Sequence, residues 1–123
     1  MRETSQAELP LLARMEGPAV VPPELMRTVR SYRQAVRLCW QLRRLRRMTF
    51  RQLAAECDLT HQHVGDYFNA DDLPRRRSLP GEAIAIVEAV LGNTAISQFT
   101  AQRARLTVLE EVQAAAHARR AAA

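Results

Sequence analysis

The stretch LAAECDLTHQHVGDYF, residues 53–68, constrains the fold more than any other part of the chain. It sets the apolar pair Leu53-Ala54 before a break at Asp58-Leu59-Thr60, then resumes with Val64 and Tyr67 at helical spacing. A single core helix has no use for the break, and a surface loop has no use for periodic apolar residues on both sides. Two short helices joined by a tight turn satisfy both halves. In that arrangement the small Ala54 lets the second helix cross close to the first, and Leu59 plugs the turn. Val64 and Tyr67 anchor the second helix and leave its far face free.

The flanking sequence is also helical. Thr49 is placed as an N-cap before Phe50-Arg51-Gln52, with Gln52 at the capping-box position. That helix stops near Asp58, and Thr60 caps the next one, expected from Thr60 to Asn69 with Val64, Tyr67 and Phe68 inward. Upstream, one long helix is expected from Pro23 to about Arg47. Leu25, Val29, Tyr32, Val36 and Cys39 form one buried stripe on it, and Leu38, Leu42 and Leu45 a second. Downstream, residues 70–79 are polar and basic and read as a loop. Pro80 opens a helix carrying Ile84, Val87, Val90 and Leu91, which Gly92 closes. Asn93-Thr94 caps a last, longer helix with Ile96, Phe99, Leu106, Leu109 and Val112, whose alanine-arginine end should fray from about residue 115.

With only four glycines and no β-branched alternating runs, the chain is expected to be all-α, a helix-turn-helix bundle of about five helices. Its organisation follows. Residues 1–23 hold Pro10, Gly17-Pro18 and Pro22-Pro23 and read as an extended arm, docked through Leu11, Leu12, Val20 and Val21. Residues 24–92 form the domain, and residues 93–123 form the C-terminal helix and tail. Two isolated cysteines, Cys39 and Cys57, make no disulfide framework and fit a reducing cytoplasm. No apolar run approaches the ~18 residues of a membrane span, and the N-terminus has no signal-peptide core.

All eighteen basic residues are arginine, and the net charge is +5. Residues 27–51 hold nine arginines and no acid, residues 52–73 hold five acids and no base, and Arg75-Arg76-Arg77 follows. Arginine blocks around a neutral-to-acidic element point to a polyanion partner, or to a solvated helix face.

Leu53-Ala54, Leu59-Thr60, Val64 and Tyr67, preceded by Leu38, Leu42 and Leu45, resemble the DNA-binding domain of the lambda repressor and Cro type over residues 33–91. Asp58 occupies the turn position held by glycine in many members, and aspartate tolerates the left-handed conformation needed there. The segment LPGEAIAIVEAVLGNTAISQ is similar to small phage-borne regulators. The resemblance implies a second helix lying in the DNA major groove. On it Gln62, Gly65, Asp66 and Asn69 form one outward stripe, with His61 beside it at the end that approaches the bases. Gln62 suits adenine, and His61 suits guanine acceptors or a phosphate. Asp66 suits cytosine N4, or an arginine of the following loop. Gly65 costs ~1 kcal/mol in a helix relative to alanine, which a close approach to DNA would explain. Arg75, Arg76 and Arg77 stand where family members contact phosphate, and Thr60 adds a hydroxyl to that set. Arg51 lies in the first turn of its helix, where a cation gains nothing from the macrodipole, and is a further phosphate candidate. Arg43, Arg44, Arg46 and Arg47 end the first helix, where they suit either DNA or the macrodipole.

The expected function is a sequence-specific, dimeric transcriptional regulator binding double-stranded operator DNA. The dimer is expected through the last helix and the Leu25, Val29 and Tyr32 end of the first. Alternatives are a DNA-packaging subunit of small-terminase type, with an oligomerising helix, and a protein-interaction adaptor favoured by the acidic run from Glu56 to Asp72. Cys57, Asp58, His61 and His63 straddle a turn without a second ligand pair at zinc spacing, so no metal is expected. Tyr32, Trp40 and Phe50 fit packing better than base stacking. No phosphate loop, nucleophile elbow or paired acids appear, so neither catalysis nor a cofactor or small-molecule ligand is implied.

Overall fold

The computed structural model describes residues 17–69, 73 and 75–122. Its helices are α1 (Pro23–Met26), α2 (Tyr32–Gln41), α3 (Phe50–Cys57), α4 (His61–Tyr67), α5 (Ile84–Leu91) and α6 (Ala95–Ala122), with a 3₁₀ turn at Gly81–Ala83 before α5. The chain is all-α, and its described residues hold no strand. None of the described helices is long and apolar enough to cross a membrane.

Local chemistry sets most boundaries. Thr49 accepts from the Gln52 amide while Gln52 Oε1 accepts from the Thr49 amide, closing the expected capping box. Asp58 ends α3 in the left-handed conformation, with φ 55°. The amides of Asp58 and Leu59 both donate to the Ala54 carbonyl, so the turn closes without glycine. Gly92 ends α5 at φ 91°, and a Cβ there would meet the Arg44 side chain at 2.8 Å. Both its conformation and its surroundings require glycine.

The long first helix expected from Pro23 to Arg47 is instead broken twice. Ser31 caps α2 by accepting from the Gln34 amide, and the Gln34 side chain accepts from the Arg30 amide. These bonds separate α1 from α2. At the other end Arg44 turns away: its amide donates to the Leu91 carbonyl, and its guanidinium reaches the Gly17 and Gly92 carbonyls. The continuous stripe is lost with the helix. Val36 and Cys39 are buried, Val29 and Tyr32 partly so, whereas Leu25 is exposed and Met26 takes the inward position. Of the second set, Leu38 and Leu45 pack on the core and Leu42 is exposed. Trp40, Phe50 and Phe68 stack into one cluster, with ring centroids 4.7 to 5.9 Å apart.

The N-terminal segment docks on the start of α6. Ala19 pairs with Asn93 in an isolated parallel bridge, and the Gln98 amide group bonds both the N–H and the carbonyl of Val21. Val21 is buried as expected, but Val20 is exposed, and Leu11 and Leu12 lie outside the described residues. Glu88, nearly buried on α5, accepts from both the amide and the hydroxyl of Ser97 in the first turn of α6. A carboxylate is well placed at that positive helix end, and the bonds offset its desolvation.

α6 therefore has two parts. Ala95 and Ile96 are fully buried, and Phe99 packs on the core. From Ala101 onward every described residue is exposed except Ala116. The tail expected to fray stays helical to Ala122, since alanine and arginine are strong helix formers and Arg119 and Arg120 suit the C-terminal dipole. Removing residues 94–123 should thus abolish the cooperative thermal transition, because losing Ile96 alone costs roughly 2–5 kcal/mol of a total near 5–15. Deletion from Leu106 onward should keep that transition. Melting curves by circular dichroism distinguish the two, and a cooperative melt of the shorter chain would contradict this division.

Candidate nucleic-acid interface

α4 has seven residues, too few to be stable alone, so packing must hold it. Val64 and Tyr67 anchor it on α3, and Phe68, at its C-terminal boundary, is 1% exposed. Thr60 occupies the N-cap position but its side chain makes no capping bond. The helix ends at Tyr67, two residues earlier than expected. Phe68 turns into the core, and the Asn69 amide folds back onto the Asp66 carbonyl, 3.4 Å away. Asn69 consequently lies off the helix instead of completing its outward stripe.

What closes this end of α4 is a pair of arginines that the sequence did not mark as functional. Arg33 of α2 donates to the Asp66 carbonyl at 2.6 Å and to the Arg76 and Arg77 carbonyls at 3.3 and 3.1 Å. Arg37, one turn further along α2, donates to the Phe68 carbonyl at 3.2 Å. Carbonyls at a helix C-terminus lack intrahelical donors, and guanidinium groups supply both hydrogen bonds and favourable charge there. The four-residue spacing of Arg33 and Arg37 was the available signal, since it puts both on one face of α2.

The outward face of α4 carries His61, Gln62, Gly65 and Asp66. His61 and Gln62 are exposed, and a Cβ built on Gly65 meets nothing within 4 Å. No packing within the described residues accounts for that glycine. His63 is half-buried and meets Tyr67 edge-on.

Asp66 is bound to the loop. Its Oδ1 lies 3.1 Å from Arg76 Nη1 and its Oδ2 lies 3.5 Å from Arg77 Nη1. Of the two partners the sequence left open for Asp66, the structure has the arginine. Arg76 is half-buried by this arrangement, whereas Arg77 keeps 58% of its side chain exposed. Arg75 is exposed, as is Arg51 on the first turn of α3. Asp71 and Asp72 lie outside the described residues. The Cys57, Asp58, His61 and His63 set does not converge: Cys57 is buried and His61 faces solvent.

No family model matches the chain, no curated protein matches it, and no solved structure matches its fold.

The hydrogen bond from Arg76 holds the Asp66 carboxyl below the usual carboxylate range, with the charge of both arginines adding to the effect. A carboxylate with a lowered folded-state pKa stabilises the fold above its unfolded value, about 3.9, and that contribution is lost as pH falls through the folded value. Asp66→Asn should therefore melt below wild type at pH 7, with the gap closing as pH drops beneath about 3.9. Thermal melts of both proteins across that range check it, and a gap independent of pH would remove the charged contact as the cause.

Proposed function

We propose that the protein is a sequence-specific DNA-binding transcriptional regulator of the lambda repressor and Cro type, acting in the cytoplasm as a homodimer on double-stranded operator DNA. The observation that carries this reading is the bare outward side of Gly65, set between exposed Gln62 and the arginine-bound Asp66 on a short, firmly held helix. A glycine that no neighbour requires costs helix stability, and a backbone that must approach a base edge closely gives it a purpose. In this reading Gln62 and His61 read bases from the major groove. Asp66 fixes the loop, so it positions the interface without reading a base. Asn69 stays a candidate from just beyond the helix. Arg51, Arg75, Arg77 and the uncapped hydroxyl of Thr60 hold phosphates.

A packaging or assembly subunit is the second reading, and the long exposed part of α6 favours it. Mass in solution separates the two, since a ring of many subunits contradicts a dimeric regulator.

Gly65→Ala gives a test in which stability and binding move in opposite directions. Free protein should gain about 0.4–1 kcal/mol, because the new methyl meets nothing and alanine favours the helix. Operator affinity should fall by at least about tenfold, or ~1.4 kcal/mol. Denaturant titration and binding isotherms measure the two effects, and unchanged affinity would take this face off the DNA.

Salt dependence tests the loop. Each arginine that neutralises a phosphate contributes ~0.9 to the slope of log affinity against log salt, and a dimer counts it twice. Arg75→Ala and Arg77→Ala should each flatten the slope by about two, for specific and random DNA alike. Arg76→Ala should chiefly lower stability, through loss of Asp66. Unaltered slopes for Arg75→Ala and Arg77→Ala would place phosphate binding elsewhere.

A further inference from the structure

The exposed part of α6 is about 33 Å of helix, with Leu106, Val108, Leu109 and Val112 each about half-exposed or more. Isolated helices draw most of their stability from a packed face, and this one has none beyond Phe99. Its sequence holds a seam. Phe99, Gln102, Leu106, Leu109, Gln113 and Ala116 alternate spacings of three and four residues, the a and d positions of a heptad pattern. Phe99 already packs on the core of its own domain, so the unpartnered seam begins at Gln102. Val108 lies off that line, and Val112 flanks it.

Beside the first part of the seam, a groove of about 380 Å³ separates α1 from α6. Pro23, Met26 and Arg27 form one wall, and Gln98, Gln102 and Arg105 contribute to the other. Gln102 belongs to both the groove and the seam, so the groove continues the same face of α6. An occupant entering along this face would be a helix lying against α6 and next to α1.

We propose that the occupant is α6 of a second copy, paired antiparallel about a two-fold axis between Thr107 and Val108. This deepens the dimeric reading above and rests on it. Rotation about that axis sets Leu106 against the partner's Leu109, Gln102 against the partner's Gln113, and Phe99 against the partner's Ala116. On one flank it brings Arg103 beside the partner's Glu110, twice over, and opposed charges there fix register. The far end of each helix then fills the groove between α1 and α6 of the other copy. A parallel pair would align two macrodipoles unfavourably.

The register is tested on the full chain, without DNA, by mixing Gln102→Cys protein with Gln113→Cys protein under mild oxidation. Native Cys39 and Cys57 are buried and do not compete. The antiparallel pair puts residue 102 opposite the partner's residue 113, while two copies of either position are about 16 Å apart, too far for a disulfide. The expected product is the mixed 102–113 dimer, with neither protein cross-linking alone. Self-cross-linking of each protein alone would keep a dimer and overturn its antiparallel order. A monomeric mass for wild type by light scattering, with no cross-link, would overturn the dimer itself. Both outcomes are separate from failure to bind DNA, which the Gly65 and arginine variants report.

Discussion

Two guanidinium groups on α2 determine how α4 is presented. α4 is only two turns long, and its buried side comes down to Val64, Tyr67 and the adjoining Phe68. Such a helix could slide or tilt on its apolar contacts alone, because those contacts are not directional. Arg33 and Arg37 add direction by binding the carbonyls of Asp66 and Phe68. Arg33 also holds the carbonyls of Arg76 and Arg77, so the helix end and the following loop are fixed to one side chain. Asp66 completes the connection from the other direction by engaging the two arginine side chains. The face carrying Gln62 and Gly65 is thus tied to Arg76 and Arg77, next in the chain to Arg75.

This arrangement divides the arginines, which the sequence presented as uniform blocks. Arg33, Arg37 and Arg44 bind backbone carbonyls within the domain. Arg43 stacks on Trp40, 4.2 Å from the ring centroid, and bonds the Trp40 and Arg46 carbonyls. Arg76 is occupied with Asp66. Those that extend into solvent include Arg27, Arg51, Arg75 and Arg77. Charge counting alone overstates what is available to a polyanion, since guanidinium is also the side chain best suited to binding several carbonyls at once.

How far the sequence reached follows the range of the forces involved. The α3–turn–α4 unit was legible because its determinants are local: the Thr49–Gln52 box, the left-handed Asp58 and the spacing of Leu53, Val64 and Tyr67. Gly92 was legible for the same reason. The break before α2 had a local signal too, in Ser31 followed three residues later by Gln34, but the continuous apolar spacing masked it. The end of α2 had none. Residues 43–47 are good helix formers, and only contacts with Leu91, Gly92 and Gly17, far away in the chain, turn them aside. At the site, the outward placement of Gln62 and Gly65 was legible from helical phase. The spacing of Arg33 and Arg37 shows that they share a face of α2, but not that this face meets the end of α4, and the loss of Asn69 from the helix likewise depends on tertiary packing.

In the proposed function α4 reads base sequence, and two copies do so symmetrically. Selection of bound sequences from a random double-stranded DNA pool tests it most directly. One consensus made of two inverted half-sites is expected. Enrichment of no sequence, or of a single unrepeated site, would contradict it.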